Sequence, residues 1–133
     1  MLNLNLLKEF LSTKIKFRVK RLKKATITIG AITKELYDIL KMKPPAVWNS
    51  NTYKNRLFYM NNHGQAFGHT KNQLKVFSEG TNLEMSLHEE NKMRISMRKG
   101  VAEYELPKEN QFYFFFSLQG NSELEVNFTK GKW

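Results

Sequence analysis

Alternation with a period of two runs through this chain from Lys14 to Phe128, and no other feature limits its fold as tightly. Lys14–Lys20 is an unbroken case: Ile15, Phe17 and Val19 take one parity, and Lys14, Lys16, Arg18 and Lys20 the other. Successive side chains of a strand project to opposite faces of its sheet, so this segment reads as a strand with one buried face and one wet, cationic face. Ala25, Ile27 and Ile29 alternate in the same way with Thr26 and Thr28. Gly30 follows, at a place suited to a bulge or a close backbone approach. Leu83, Met85 and Leu87, then Met93, Ile95 and Met97, form two alternating runs around the polar Glu89-Glu90-Asn91. They predict a hairpin in which Glu84 pairs with Arg94 or Arg98. Val101–Leu106 alternates up to Pro107. Leu124, Val126 and Phe128 alternate with Glu123, Glu125 and Asn127. Phe112–Leu118 is apolar on both parities, which predicts a strand in the middle of a sandwich or under a covering segment. Gly120-Asn121 reads as a turn between the last two strands.

The remaining segments fit the same plan. Arg56–Met60 and Gln65–Phe67 predict a second hairpin around Asn61-Asn62-His63-Gly64, because Asn and Gly tolerate positive φ. Gln73–Phe77 predicts a further short strand. Only Thr33–Met42 changes period: Leu36, Ile39 and Leu40 share a helical face, Thr33 can cap its start, and Pro44-Pro45 forbids its continuation. Met1–Leu11 predicts an amphipathic helix. Eight or nine short strands spaced by roughly ten residues indicate an all-β fold, a bent antiparallel β-sandwich of jelly-roll type with one short helix near residues 33–42. The expected organisation is an amphipathic segment over residues 1–13, one sandwich domain over 14–130 and a tail over 131–133, with Trp133 at a frayed end.

Charge and composition narrow the function. There is no Cys, which excludes disulfides and thiolate metal sites and is compatible with an intracellular, cytoplasmic setting. No apolar run approaches the roughly 20 residues that span a bilayer, and the N-terminus lacks the layout of a signal peptide. Of the net charge of +10, +8 falls in residues 1–43, where 11 Lys and Arg meet only Glu9, Glu35 and Asp38. Such asymmetry points to an acidic partner.

The order of these segments resembles a SPRY domain, the core of the B30.2 family, over nearly the whole chain. Ala25–Ala31, reading Ala-Thr-Ile-Thr-Ile-Gly-Ala, resembles that family's early strand ending in Gly. Leu57–Phe67 resembles its aromatic strand and following turn, and Phe77–His88 its Gly-Asp strand and hairpin. Phe112–Phe128, with Phe114-Phe-Phe-Ser-Leu-Gln-Gly, resembles the closing pair. The chain departs from the pattern at Gly80-Thr81 in place of Gly-Asp, at Lys99-Gly100 in place of Asn-Gly, and at Phe115 or Phe116 where a Pro often precedes Ser-Leu. The resemblance implies a bent sandwich of two antiparallel sheets whose loops at one end grip a peptide or protein surface. Domains of this kind serve in adapters, scaffolds and larger assemblies, without a cofactor.

Catalytic chemistry finds little support in the residues. Asp38 is the sole Asp, Glu89 and Glu90 are adjacent in a predicted turn, and Ser86, His88 and Glu90 lack a nucleophile-elbow context. His63 and His69 are six apart, off the spacing of zinc sites, and His88 is distant. No metal ligand set and no enzyme activity are therefore expected. For protein binding, the loop residues Trp48, Asn62, His63, His69, Arg98, Lys99, Gln119 and Asn121 are the candidates, with Trp48 and Arg98 as the aromatic and guanidinium anchors typical of interfaces. Nucleic-acid binding is the rival: Lys14, Lys16, Arg18, Lys20, Arg21, Lys23 and Lys24 can track phosphates. Against it, Phe17 alternates away from the cations, whereas a base-stacking platform needs exposed rings beside them. Lys on an outer strand also guards against edge-to-edge aggregation.

Overall fold

A computed structural model describes residues 5–7, 13–42, 56–68, 70–72, 76–88, 91–98, 100–107 and 111–130. The protein is all-β, with one short helix among the described residues. In chain order the strands are β1 (Asn5–Leu7), β2 (Thr13–Thr33), β3 (Leu57–Asn61), β4 (Ala66–Phe67), β5 (Thr70–Asn72), β6 (Asn82–His88), β7 (Lys92–Met97), β8 (Gly100–Glu105) and β9 (Phe112–Lys130), and the helix α1 is Lys34–Met42. The nine strands among the described residues join one antiparallel sheet in the order β1-β9-β2-β6-β7-β8-β5, with β3 branching from β2 and carrying β4.

Two long strands organise this sheet. β2 pairs with β9 from Thr13↔Lys130 to Thr33↔Phe112. Its other edge is divided: Ile15–Arg18 pairs with β6, and Thr28–Ile32 with β3. The two branches curl toward each other over one core. Phe58 of β3 and Tyr104 of β8 meet edge-on with ring centroids 6.4 Å apart, and the Tyr104 hydroxyl donates to the Tyr59 carbonyl at 2.7 Å. Ile15, Phe17, Val19, Ile27, Ile29 and Ala31 supply the core from β2, and Leu83, Met85, Met93, Ile95, Ala102 and Tyr104 from the β6–β8 meander. Full burial of each large side chain contributes about 1.5–3 kcal/mol.

The expected break between two strands at Arg21–Lys24 does not occur, and neither does the expected turn at Gly120-Asn121. Both are bulges within the continuous β2–β9 ladder. Lys20 is the extra residue between Val19↔Leu124 and Arg21↔Glu123. Farther along, Lys24 and Ala25 stand opposite Gly120 alone, with Lys24 at φ 49° and Gly120 at φ 83°. An extra residue slips the alternation by one and sharpens the twist. The first slip moves Arg21 onto the wet face and Leu22 onto the core. The second restores the phase, so that Ile27 returns to the face of Ile15.

A second, smaller core lies on the opposite face, where Leu36 of α1 packs with Ile32, Leu57 and Phe115. This is the cover expected over the doubly apolar strand, since Phe114 enters the main core while Phe115 meets the helix. Thr33 caps α1, its hydroxyl accepting from the Leu36 amide at 3.2 Å. The buried helical stripe differs from the expected one: Ile39 is 47% exposed, and Tyr37 instead packs edge-on against Tyr113 at 5.6 Å. Gly30 does mark a close approach, because a Cβ there would lie 1.9 Å from the Phe58 carbonyl oxygen.

Three further expectations are corrected. Asn5–Leu7 is a strand rather than helix, paired with Phe114–Phe116 at the sheet edge. Val76 and Phe77 are not in a strand, whereas Thr70–Asn72 forms β5 against β8. Residues 73–75 lie outside the described residues. Glu84 stands opposite Ser96, so it pairs with Lys14 at 3.5 Å, while Arg94 pairs with Glu103 at 3.0 Å.

Candidate binding surface

Because β2 is central, its wet parity is flanked on both sides by the wet parities of β6 and β9. Lys14, Lys16 and Arg18 therefore share a face with Asn82, Glu84 and Ser86 on one side and with Glu125 and Asn127 on the other. Three cations of the expected basic patch meet carboxylates there: Lys14 with Glu84 at 3.5 Å, Lys20 with Glu125 at 3.2 Å and Arg21 with Glu123 at 3.7 Å. Lys16, Arg18, Lys23 and Lys24 are exposed and make no ion pair among the described residues. A hydrogen bond from the Asn127 amide, with Lys20 and then Arg18 nearby, holds the Glu125 carboxyl below its ordinary range.

Loops close the gap on β2 between its β6 and β3 partners. The Ser78–Thr81 loop contributes Gly80, whose amide donates to the Val19 carbonyl, and Glu79, whose carboxylate accepts from the Leu22 amide at 2.9 Å. Asn62, expected at a partner-binding loop, is only 7% exposed and stitches the fold instead. Its Oδ1 accepts from the Ile27 amide at 2.8 Å and its Nδ2 donates to the Ala25 carbonyl at 3.1 Å. A buried backbone group must find a partner, and Asn62 supplies two where the ladder has none. The neighbouring His63 is exposed and shares a hydrogen bond with the Thr26 hydroxyl at 3.0 Å.

Gln119 lies opposite Thr26, and Asn121 opposite Lys23, both exposed. Hence His63, Gln119, Asn121, Lys23 and the Lys24-Ala25 bulge cluster along β2. Arg98 is brought to the Ser78–Thr81 loop, the two lining one concavity of about 490 Å³ with Val76, Asn82 and Met97. Trp48, His69 and Lys99 lie outside the described residues.

The neighbouring trough, of about 530 Å³, crosses the wet face of the sheet. Lys16, Arg18, Asn82, Glu84, Ser96, Arg98, Glu125 and Asn127 supply its polar wall, and Arg98, Asn82 and Met97 border both hollows. Asn82, Ser96, Asn127 and the two carboxylates escape a sequence reading. They belong to the β6–β7 hairpin and to β9, which is distant from it in the chain, and only their wet parity was legible.

Ser86 and His88 share a hydrogen bond of 2.8 Å as successive wet-face neighbours on β6, with Ser86 only 6% exposed. Burial, then Arg94, pushes the His88 imidazole below its ordinary value, with Glu103 opposing. Glu90 lies outside the described residues. No group of three His, Cys, Asp or Glu that could hold a metal occurs among the described residues, and none of their helices is long and apolar enough to cross a membrane. No protein-family model matches this chain, and no curated protein is significantly similar to it.

Proposed function

We propose that the chain is a non-catalytic protein-interaction module, a SPRY-like β-sandwich, that engages a partner protein through the loop-bearing part of its sheet as an intracellular adapter or scaffold component. The observation that carries this reading is that exposed Arg18 and Arg98, neither in an ion pair among the described residues, line one trough, and that Arg98 also borders the adjoining hollow of the Ser78–Thr81 loop. Guanidinium groups at the rim of a shaped concavity are common anchors of protein interfaces. The order of strand segments described above supports the same reading.

Nucleic-acid binding draws on the same cations and is disfavoured by their surroundings. Glu84, Glu123 and Glu125 are interleaved with them, and Phe17 is 1% exposed, leaving no ring from β2 for a base to stack on. A photo-crosslinking residue placed at Gln119 or Ser78 in the native cellular setting tests the choice. Discrete protein adducts that survive nuclease treatment and are missing from a Lys34 control on α1 are expected. Adducts that nuclease removes would overturn the proposal in favour of nucleic acid.

A further inference from the structure

We infer that the trough over β9, β2, β6 and β7 receives an extended acidic polypeptide segment in which carboxylate side chains alternate with small neutral ones. The inference rests on the protein-binding reading above and names the chemistry of the partner. Its basis is a set of three exposed cations without an ion pair among the described residues, Lys16, Arg18 and Arg98, around one hollow of about 530 Å³.

Their spacing favours an extended chain. Lys16 and Arg18 are alternate residues of one strand and so repeat at about 6.6–6.8 Å along it, the same interval at which an extended peptide presents side chains on one face. Arg98 follows the end of β7, two strands from β2 in the sheet order, or about 10 Å across. It offers a third contact for a segment crossing the trough obliquely. The planar guanidinium forks of Arg18 and Arg98 match carboxylates with two parallel hydrogen bonds. Asn82, Ser96 and Asn127 supply neutral donors and acceptors between the charges.

The carboxylates in the wall decide between an acidic peptide and a polynucleotide. Glu84 and Glu125 stand among the three cations, and Asn127 and Lys20 hold Glu125 in its charged form. A nucleic-acid strand carries a charge about every 3.4 Å and must set phosphates against both acids. A peptide can place Thr, Ser or Gly there and keep its carboxylates for Lys16, Arg18 and Arg98. The wall thus acts as a filter on charge spacing as well as on charge sign.

The test is fluorescence anisotropy on the full chain with three probes: a labelled peptide of about a dozen residues alternating Glu and Thr, its clustered isomer with all Glu at one end, and an oligothymidylate of similar length. The expected result is tightest binding of the alternating peptide. Arg18→Glu and Arg98→Glu should each weaken it about tenfold, Arg98→Lys should lose less than Arg98→Glu, and Lys34→Glu, an equal charge change on α1, should leave it unaltered. Equal binding of the two peptides, or equal loss in Lys34→Glu, would show unspecific attraction and overturn the inference. If no peptide binds while the crosslinks from Gln119 persist, the acidic-segment assignment falls alone. Oligothymidylate bound in preference to both peptides sinks this inference and the protein-binding reading together.

Discussion

Asn62 shows how a residue with the profile of a contact can be a strut. Its amide satisfies the Ile27 N–H and the Ala25 C=O where β2 passes from one neighbouring strand to the next. Asn62→Leu removes both partners and leaves two backbone groups stranded, so a loss of about 2–4 kcal/mol is expected in urea denaturation. His63→Ala, at an exposed side chain, should cost under about 1 kcal/mol. His88 supports a pH prediction. Its imidazole is held below the ordinary value of 6.5, first by burial and next by Arg94, with Lys14 acting the same way and Glu103 and Glu84 opposing. The unfolded chain therefore takes up this proton before the folded one does. The contribution of His88 to stability is complete above about pH 6.5 and is lost as pH falls through the folded midpoint. Proton NMR titration should place that midpoint below 6.5, and Arg94→Gln should raise it.

Gly30 and Gly120 have different duties at the level of elements. Gly30 permits the close contact of β2 with β3, and a methyl there would meet the Phe58 carbonyl oxygen and the Tyr59 Cα. Gly30→Ala should cost about 3 kcal/mol or more, with hydrogen exchange accelerating first in Leu57–Asn61 while the β6–β7 hairpin stays protected. Gly120 adopts φ 83° opposite the Lys24-Ala25 bulge, so a side chain there is strained within a ladder that otherwise continues. The alternation of β9 passes straight through this glycine. Phe112, Phe114, Phe116, Leu118, Leu124, Val126 and Phe128 all occupy even positions, and this one parity was the available sign that Gly120 is no turn.

The curl of the sheet is the property of the whole molecule on which the others depend. It brings β8 to β3 across the core, where the Tyr104 hydroxyl, on a ring 0% exposed, reaches the Tyr59 carbonyl. Tyr104→Phe keeps the ring and removes this bond, so a loss of about 1 kcal/mol is expected, with faster exchange at β3 and little change at β7. The ion pairs of the wet face among the described residues are partly exposed, and each contributes little after solvent screening. Raising salt to 1 M should therefore shift the urea midpoint little, because apolar burial and not cross-strand charge holds the sheet closed.

Local alternation determined the strand segments of β2, β3, β6, β7, β8 and β9 with their parities, the capped helix and the β6–β7 hairpin, but neither β1 nor β5 nor the continuity of β2 and β9, because period-two patterning and turn chemistry act between near neighbours. It placed Ile15, Phe17, Val19, Met85 and Ile95 inside and Lys16 and Arg18 outside. Tertiary structure decided what lies beside them. That β9 and β6 both flank β2, that Lys14, Lys20 and Arg21 are met by Glu84, Glu125 and Glu123, and that Arg98 joins Lys16 and Arg18 at one trough all follow from pairing between residues distant in the chain. Such register is chosen by burial of the entire apolar face at once, a cooperative quantity that no single segment carries.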